Sequence, residues 1–211
     1  FTRVDVGAGL GRQMLRLGGG LVKFRKLIRS LVLVLVMVVA VVAYTKVMAR
    51  VSRVQPPAQA EVAQLADRLI VSKSDRKLFL MQGGEVVQSY DIAMGARWDD
   101  GPKQSEGDER TPEGTYTIDW RNPKSVAHLS LHISYPDAAD QTRAAQGGYD
   151  PGGNIMIHGL PNGWGILGAW HLLVNWTDGC IAVTNSEMRD IWARTPNGTP
   201  ITIADSWSPE A

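Results

Sequence analysis

Residues 68–93 read RLIVSKSDRKLFLMQGGEVVQSYDIA, and this stretch decides the fold class. It holds three runs with many apolar residues, 68–72, 77–82 and 85–93. Ser74-Asp75-Arg76 separates the first two runs, and Gly83-Gly84 separates the second and third. Short strands divided by such tight turns are typical of antiparallel hairpins. The stretch therefore predicts the opening strands of a mostly-β domain.

The same pattern continues towards the carboxyl end. Further strands are predicted over residues 114–120, 128–134, 154–158 and 201–204. In the first of these, strict alternation predicts that Tyr116, Ile118 and Trp120 share one face. The one clear helix is predicted over residues 186–194, with Asn185 as its N-cap and Glu187 in its first turn. Many short strands and few helices predict a β-sandwich or barrel with one or two short helices.

A long apolar segment precedes this body. Residues 31–44 read LVLVLVMVVAVVAY, and the apolar run extends over residues 27–48, about the length that crosses a bilayer core. Lys23, Arg25, Lys26 and Arg29 precede its uninterrupted apolar part, residues 31–44, which predicts a cytoplasmic amino terminus. An uncleaved signal anchor and a cleaved signal peptide both fit. The length of the run favours the anchor, and so does the nearest pair of small residues, Ala40 and Ala43, which is not spaced as A-x-A.

Charge is distributed unevenly along the chain. Residues 1–53 hold ten Lys/Arg and one Asp, whereas the remainder holds twelve Lys/Arg and twenty Asp/Glu. A basic tip on a mildly acidic body fits a membrane-proximal segment. The body has no Lys/Arg cluster interleaved with aromatic residues, so nucleic acid is not an expected partner.

These patterns predict five parts of the chain. Residues 1–26 form a basic cytoplasmic segment, 27–48 a transmembrane signal anchor, 49–65 a linker that ends in a short helix, 66–205 the catalytic domain, and 206–211 a tail. Within the domain, residues 98–110 and 135–153 are polar, Gly-rich loops. Loops of this length are either substrate walls or solvated surface.

The chain has one cysteine, Cys180, in the run Thr177-Asp178-Gly179-Cys180-Ile181, and a second short motif, Ile157-His158-Gly159, lies upstream. A free cysteine is commonly a small buried hydrophobe. A histidine that takes the thiol proton instead makes it a nucleophile. Backbone N–H groups of Gly179 and Cys180 could then form an oxyanion hole. Asp178 either orients an imidazole or hydrogen-bonds a loop.

These motifs resemble the active-site signature of the L,D-transpeptidase catalytic (YkuD) family, which has a histidine, a spacer and then Ser/Thr-His-Gly-Cys. Arg110-Thr111-Pro112-Glu113-Gly114-Thr115-Tyr116 resembles the T-P-x-G-x-[YF] element of the family. The opening hairpin and Met94-Gly95 resemble its first strands. Together the resemblance covers residues 66–205.

The resemblance implies a cysteine-dependent L,D-transpeptidase that acts on peptidoglycan stem peptides through an acyl-enzyme. Cys180 matches the nucleophile and His158 the general base. Gly179, Gly159 and Thr177 match supporting positions. The expected location is the bacterial inner membrane, single-pass, with the catalytic domain in the periplasm or cell wall space. A non-catalytic cell-wall-binding module is the alternative from another class.

The sequence departs from the family pattern in three places. Asp178 replaces the second histidine, the spacer between His158 and Thr177 has eighteen residues, one more than is usual, and Ala182 replaces a common arginine. The Asp-Gly-Cys form is similar to the YafK-like subgroup. That subgroup includes a member that hydrolyses the link between peptidoglycan and an outer-membrane lipoprotein. The resemblance therefore also implies a hydrolytic alternative, an L,D-carboxypeptidase or an amidase that releases a lipoprotein.

The remaining histidines are less specific. His132 is a secondary site candidate, because the YafK-like subgroup shares the sequence around it, whereas His128 and His171 are expected in structural roles. The His/Cys set lacks the close spacing of a zinc site, so no metal and no other cofactor is expected. Trp164, Trp170 and Trp176 are expected either to line a substrate site or to pack in the core.

Overall fold

The computed structural model describes residues 8–208, with side chains from residue 23 onward. The first seven residues of the predicted basic segment and the last three of the predicted tail lie outside the described residues. The chain divides into two compact units, one ending at Val47 and one beginning at Met48.

A long helix, α1, runs from Ala8 to Val51. Within it, Lys23–Val51 is long and apolar enough to cross a membrane, with a mean hydropathy of 2.7 over its most apolar window. Its large apolar side chains, such as Leu33 and Met37, are exposed. A helix of this length and composition near the amino terminus fits either a membrane anchor or a signal sequence.

The predicted opening strands are confirmed. They are β1 (Arg68–Ser72), β2 (Lys77–Gln82) and β3 (Glu85–Asp91), and each pairs antiparallel with the next. Gly83 and Gly84 both have positive φ, 60° and 89°, which explains why glycines occupy this turn.

The other strands are β4 (Gly114–Asn122), β5 (Ser130–Ile133), β6 (Met156–His158), β7 (Ile181–Ala182) and β8 (Pro200–Ala204). All eight form one sheet in the order β3-β2-β1-β8-β4-β5-β6-β7. Beyond β3, the chain makes paired backbone hydrogen bonds between Ala93 and Ala182 of β7. The sheet therefore curls until its two edges approach each other. This confirms the predicted mostly-β class.

The core lies inside the curl. Alternate side chains of neighbouring strands meet there, and Leu69, Leu80, Ile118, Leu131 and Ile157 are completely buried. Because strand side chains alternate between two faces, each buried residue turns its sequence neighbours outward. This alternation determines which side chains face the candidate site.

The predicted alternation is wrong at one residue of β4. Tyr116 and Ile118 are buried, but Trp120 is 39% exposed. Ile118 pairs with Ile133 and Trp120 with His132, so β4 uses two residues where β5 uses one. Asp119 is the extra residue of a β-bulge, which shifts the alternation by one.

The structure corrects the interpretation of residues 135–153 as a loop. Helix α2 (Ala138–Gly147) occupies most of this segment. Asp137 caps its first turn, and Asp140 completes a reciprocal capping box. The buried Asp140 carboxylate also accepts a hydrogen bond from Tyr116 Oη at 3.1 Å, which ties α2 to β4.

The helix predicted over residues 186–194 is present as α3 (Asn185–Arg194). Its N-cap is Thr184 rather than Asn185. Thr184 and Glu187 form the capping box. The Asn185 side chain instead accepts the Leu160 N–H at 2.8 Å, directly after the strand that carries His158. The residue expected to cap a helix therefore holds the segment that follows β6.

The segment predicted as a linker is hydrogen-bonded to α3. The Ala60 N–H donates to the Ala193 carbonyl at 2.8 Å, and Arg189 donates to the Gln55 carbonyl at 2.8 Å. The predicted short helix at 61–65 is a single 3-10 turn, Val62–Gln64. These hydrogen bonds, together with Val54 packed against the hydrophobic core, hold this segment in place.

Glu113, in the T-P-x-G-x-[YF] element, forms an ion pair with a buried lysine. Lys73 is fully buried, and its Nζ lies 2.7 Å from Glu113 Oε1. Glu113→Ala would leave this ammonium group buried without its partner, so we expect it to lower the free energy of unfolding by about 3 kcal/mol. Urea unfolding followed by tryptophan fluorescence measures the loss.

Asp91→Ala is the matched control, because it breaks an ion pair with Lys77 of the same 2.7 Å length at the surface. We expect it to cost less than about 1 kcal/mol. Equal losses for the two variants would show that burial of Lys73 does not determine the strength of its pair.

Candidate active site

Strands β6 and β7 bring the two candidate residues to one place. They run parallel, with Ile157 opposite Ile181 and His158 opposite Ala182. Ile157 and Ile181 are both completely buried in the core. The adjoining His158 and Cys180 consequently lie on the other face of the same two neighbouring strands. Both are partly accessible to solvent.

The Cys180 thiol is held against the segment that precedes β6, the strand that carries His158. Its Sγ donates to the Asn154 carbonyl oxygen at 3.6 Å. Burial raises the pKa of the Cys180 thiol, a hydrogen bond from the Met156 backbone opposes this effect, and nearby Asp178 raises the pKa further. The resting cysteine is therefore a protonated thiol and not a thiolate.

His158 is oriented by a backbone carbonyl group. Its Nδ1 lies 2.7 Å from the Gly159 carbonyl oxygen, so Nδ1 carries a proton and donates. In the neutral ring this leaves Nε2 as the proton acceptor. Burial lowers the pKa of His158 below its ordinary value, and His171 lowers it further against the effect of the Gly159 bond. The imidazole is consequently neutral at pH 7.

The turn before Cys180 is clamped by Thr177. Thr177 Oγ1 donates to the Cys180 carbonyl at 2.7 Å and accepts the Gly179 N–H at 3.3 Å. Of the two amides expected to form an oxyanion hole, that of Gly179 is therefore engaged with Thr177. The Cys180 amide remains as the candidate donor.

Asp178 is exposed and lies on the wall of a cavity beside the cysteine. The cavity has a volume of about 510 Å³, and its wall also includes Lys103, Glu106, Asp150 and Asn154. Asp178 cannot orient His158 through Nδ1, because the Gly159 carbonyl already holds that nitrogen. Its effect on the site is electrostatic, through the thiol.

The loop over residues 98–110 forms part of this wall. Its Lys103 is 94% buried, with Nζ donating to Asp108 Oδ1 at 2.8 Å and to the Ser105 carbonyl at 2.9 Å. Asp108 also accepts the backbone N–H groups of Gln104 and Arg110. The buried ion pair thus stabilises a loop that was expected to be either a substrate wall or solvated surface.

His171 lies close to His158. It is buried, its Nδ1 accepts a hydrogen bond from Trp176 Nε1 at 3.4 Å, and Trp176 meets the His158 ring edge to face at 5.9 Å. Trp176 is therefore the tryptophan of the spacer that contacts the candidate base. Trp170, in contrast, is 75% exposed.

The other two histidines differ in their contacts. His128 lies before β5, and its Cβ packs close to Gly159. His132 lies within β5, with Nδ1 2.6 Å from Asp119 Oδ1. In the described part of the chain, no three His, Cys, Asp or Glu side chains are grouped so that they could hold a metal ion.

Sequence reasoning missed two residues of the site. Asn154 supplies the carbonyl group that the thiol contacts, and Asn185 holds the backbone after His158. The Gly152-Gly153-Asn154 run was a signal for the first, since such runs make irregular backbone. Nothing in the sequence indicated that the Asn185 side chain would accept the Leu160 N–H instead of capping the helix.

Comparison with known proteins decides the family. The model of the YkuD family, the L,D-transpeptidase catalytic domain, matches residues 66–203. The chain belongs to this family. Strands β1–β7, all of β8 except its last residue, and both motif residues, His158 and Cys180, fall within the matched range.

Two relatives of this YkuD domain are informative. The putative L,D-transpeptidase YafK of Escherichia coli K12 is 34% identical over 95 residues, which are 42% of this chain and 36% of that protein. The helical cell shape determining protein Pgp2 of Campylobacter jejuni has 23% identity and a TM-score of 0.51. That likeness covers 68% of this chain and 49% of Pgp2, and it supports the fold.

Gly179 is the glycine whose replacement the site tolerates least. Its φ is +119°, and an added Cβ would lie 2.4 Å from the Arg110 carbonyl oxygen. We expect Gly179→Ala to lower the free energy of unfolding by more than about 2 kcal/mol or to prevent folding, because both strain and a backbone clash oppose it. Folded yield and the urea midpoint measure the effect.

Gly153→Ala serves as its control, since an added Cβ there meets Pro136 at an ordinary 3.6 Å without positive φ. It should stay within about 0.5 kcal/mol of the wild type. A stable, fully folded Gly179→Ala protein would contradict the assigned backbone geometry.

Proposed function

We propose that the protein is a cysteine-dependent L,D-transpeptidase acting on peptidoglycan stem peptides, with Cys180 as nucleophile and His158 as general base. The observation that carries this proposal is the placement of both side chains on one face of β6 and β7, with Nε2 of His158 left as acceptor. Family membership supports the reaction class and the peptidoglycan substrate.

The proposed reaction begins with two neutral groups. His158 Nε2 removes the thiol proton as Sγ attacks the carbonyl carbon of the scissile peptide bond. The Cys180 N–H stabilises the oxyanion of the tetrahedral intermediate. His158 then returns the proton to the departing amine, which leaves a thioester on Cys180. An acceptor amine attacks the thioester carbonyl carbon and loses its proton to His158. The C–S bond then breaks, the new peptide is released, and His158 returns the proton to the Cys180 thiolate.

The two pKa shifts support the assignment of His158 as base. A lowered imidazole pKa keeps Nε2 unprotonated at neutral pH, and a raised thiol pKa means that little thiolate forms without a base. Proton removal during attack is therefore the way in which this thiol becomes nucleophilic.

We further propose that Lys23–Val51 anchors the enzyme in the bacterial inner membrane, with the catalytic domain in the periplasm or cell wall space. The length and apolar composition of the helix support this location, as does a substrate that lies outside the cytoplasm. The four basic residues that precede its apolar run support the orientation.

The nucleophile and base are tested by acylation with a carbapenem, which resembles the donor peptide. We expect an adduct at Cys180, detected by mass spectrometry, at a rate that is nearly constant across neutral pH. His158→Ala should lower the rate at pH 7 by about 100-fold or more. The residual acylation rate of His158→Ala should rise about tenfold per pH unit, because it depends on the fraction of thiolate. The rise should stop only above the raised pKa of the Cys180 thiol.

Asp178→Asn is the matched control, because it removes a neighbouring charge and leaves His158 in place. It should keep the flat pH profile. If Asp178→Asn lowers the acylation rate as much as His158→Ala does, Asp178 is essential for the reaction. If the wild type forms no adduct at Cys180, the non-catalytic cell-wall-binding module is favoured.

A second candidate is a hydrolase that uses the same acyl-enzyme, and the acidic cavity favours it. Asp178, Glu106 and Asp150 line the cavity beside Cys180. Carboxylates stabilise the ammonium form of an incoming amine, and an ammonium group cannot attack the thioester. Water is not affected in this way. With water as the acceptor, the enzyme would be an L,D-carboxypeptidase or an amidase that releases a peptidoglycan-linked lipoprotein.

The products from disaccharide-tetrapeptides distinguish the two candidates. We expect crosslinked dimers from the wild type, and a higher ratio of dimers to tripeptides from Asp178→Asn, because one carboxylate near the acceptor is removed. Liquid chromatography with mass spectrometry measures both products. Tripeptides alone from both proteins would establish the hydrolase.

A further inference from the structure

Three side chains form a contiguous patch on the outer face of the sheet. The Trp120 and His132 rings are stacked, with centroids 4.9 Å apart and planes 20° from parallel. His132 Nδ1 lies 2.6 Å from Asp119 Oδ1. We name these three residues the Trp120 platform.

The β-bulge creates this platform. In regular alternation Asp119 and Trp120 would face opposite sides of β4, and only one of them would reach His132. The extra residue at Asp119 turns both side chains towards His132. Bulges that redirect side chains in this way are frequent beside active sites. A tryptophan that the pattern predicted on the same face as Tyr116 and Ile118 is thereby presented to solvent.

The exposed surface of the platform has a defined chemistry. His132 covers one face of the Trp120 ring, and Trp120 remains 39% exposed. The side chain of Asp119 is 41% exposed beside it, while that of His132 is only 13% exposed. A flat aromatic face next to a carboxylate suits a sugar ring, whose C–H face stacks on the indole and whose hydroxyl groups donate to the carboxylate.

Strand register places the platform in line with the candidate nucleophile. Trp120 is opposite His132, and His132 is opposite Met156. The pairing of Ile157 with Ile181 makes Cys180 the neighbour of Met156 on the next strand. Trp120 and Cys180 are thus three strand spacings apart, about 14 Å.

This separation matches the substrate. A tetrapeptide donor that leaves a tripeptide reacts after its third residue, so three residues lie between the reacting carbonyl carbon and the sugar that carries the peptide. Three extended residues span about 10 Å. The attachment to the sugar and the depth of the tryptophan ring account for the remaining distance.

We propose that the Trp120 platform is a glycan subsite, which binds the sugar that carries the stem peptide attached at Cys180. This inference rests on the proposed function. The subsite would make the enzyme prefer stem peptides that are still attached to glycan over free peptides.

Binding to the full-length Cys180→Ala protein in detergent tests the subsite without turnover. Isothermal titration compares a disaccharide-tetrapeptide with the same tetrapeptide lacking sugar. We expect the disaccharide to tighten binding about five- to tenfold, and Trp120→Ala to abolish this difference without changing the affinity for the free peptide. Trp120→Phe should retain most of the difference, because it keeps a flat ring.

Trp170→Ala is the matched control, because it removes another exposed tryptophan outside the platform. It should leave the preference for the disaccharide unchanged. Loss of that preference in Trp170→Ala alone, or equal weakening of both ligands by Trp120→Ala, would overturn the subsite. Circular dichroism and the urea midpoint of Trp120→Ala establish independently that the variant is folded.

The two proposals fail in different ways. Binding of the free tetrapeptide with no gain from the disaccharide overturns the glycan subsite alone. If neither ligand binds, the peptidoglycan substrate is wrong and the subsite fails with it.

Discussion

The burial of Ile157 opposite Ile181 is the interaction on which the site depends. Both side chains are completely enclosed in the core, and they set the register of the short parallel pair β6 and β7. That register turns His158 and Cys180 to the same outer face. A one-residue slip of β7 against β6 would turn Cys180 into the core and expose Ile181, so the hydrophobic core and the position of the candidate nucleophile are specified by the same contact.

The electrostatics of the site are those of a neutral pair. Desolvation acts in opposite directions on the two groups, raising the thiol pKa and lowering the imidazole pKa. Neither group bears the cost of a buried charge in the resting protein. A backbone carbonyl group orients the imidazole, and the nearby carboxylate of Asp178 lies in an open cavity. The aspartate at position 178 therefore changes the charge of the cavity wall and not the orientation of His158.

The outer face of the sheet extends this arrangement beyond the two residues. The β-bulge in β4 brings Asp119 and Trp120 to His132, in the same row of paired positions as Cys180. Side chains in one row across a sheet are separated by whole strand spacings, so their distances are fixed and can match a substrate of fixed length. Helix α2 is tied to β4 from the opposite, buried face through the Tyr116–Asp140 hydrogen bond.

The sequence by itself determined the strands other than β7, the apolar helix and the two motifs, because each follows from a local pattern of two to about twenty residues. Residues 68–93 predicted β1, β2 and β3 with their turns, and the runs around His158 and Cys180 identified the candidate site. Tertiary structure alone decided the bulge at Asp119 and the hydrogen bond from the Leu160 N–H to Asn185, which replaces the expected helix cap. It also decided that the Gly159 carbonyl orients His158. Each of these depends on a partner that is distant in sequence or on a backbone geometry that no residue pattern encodes. Local propensity cannot specify such partners, since the energy that selects them arises only when the sheet has curled and its core is closed.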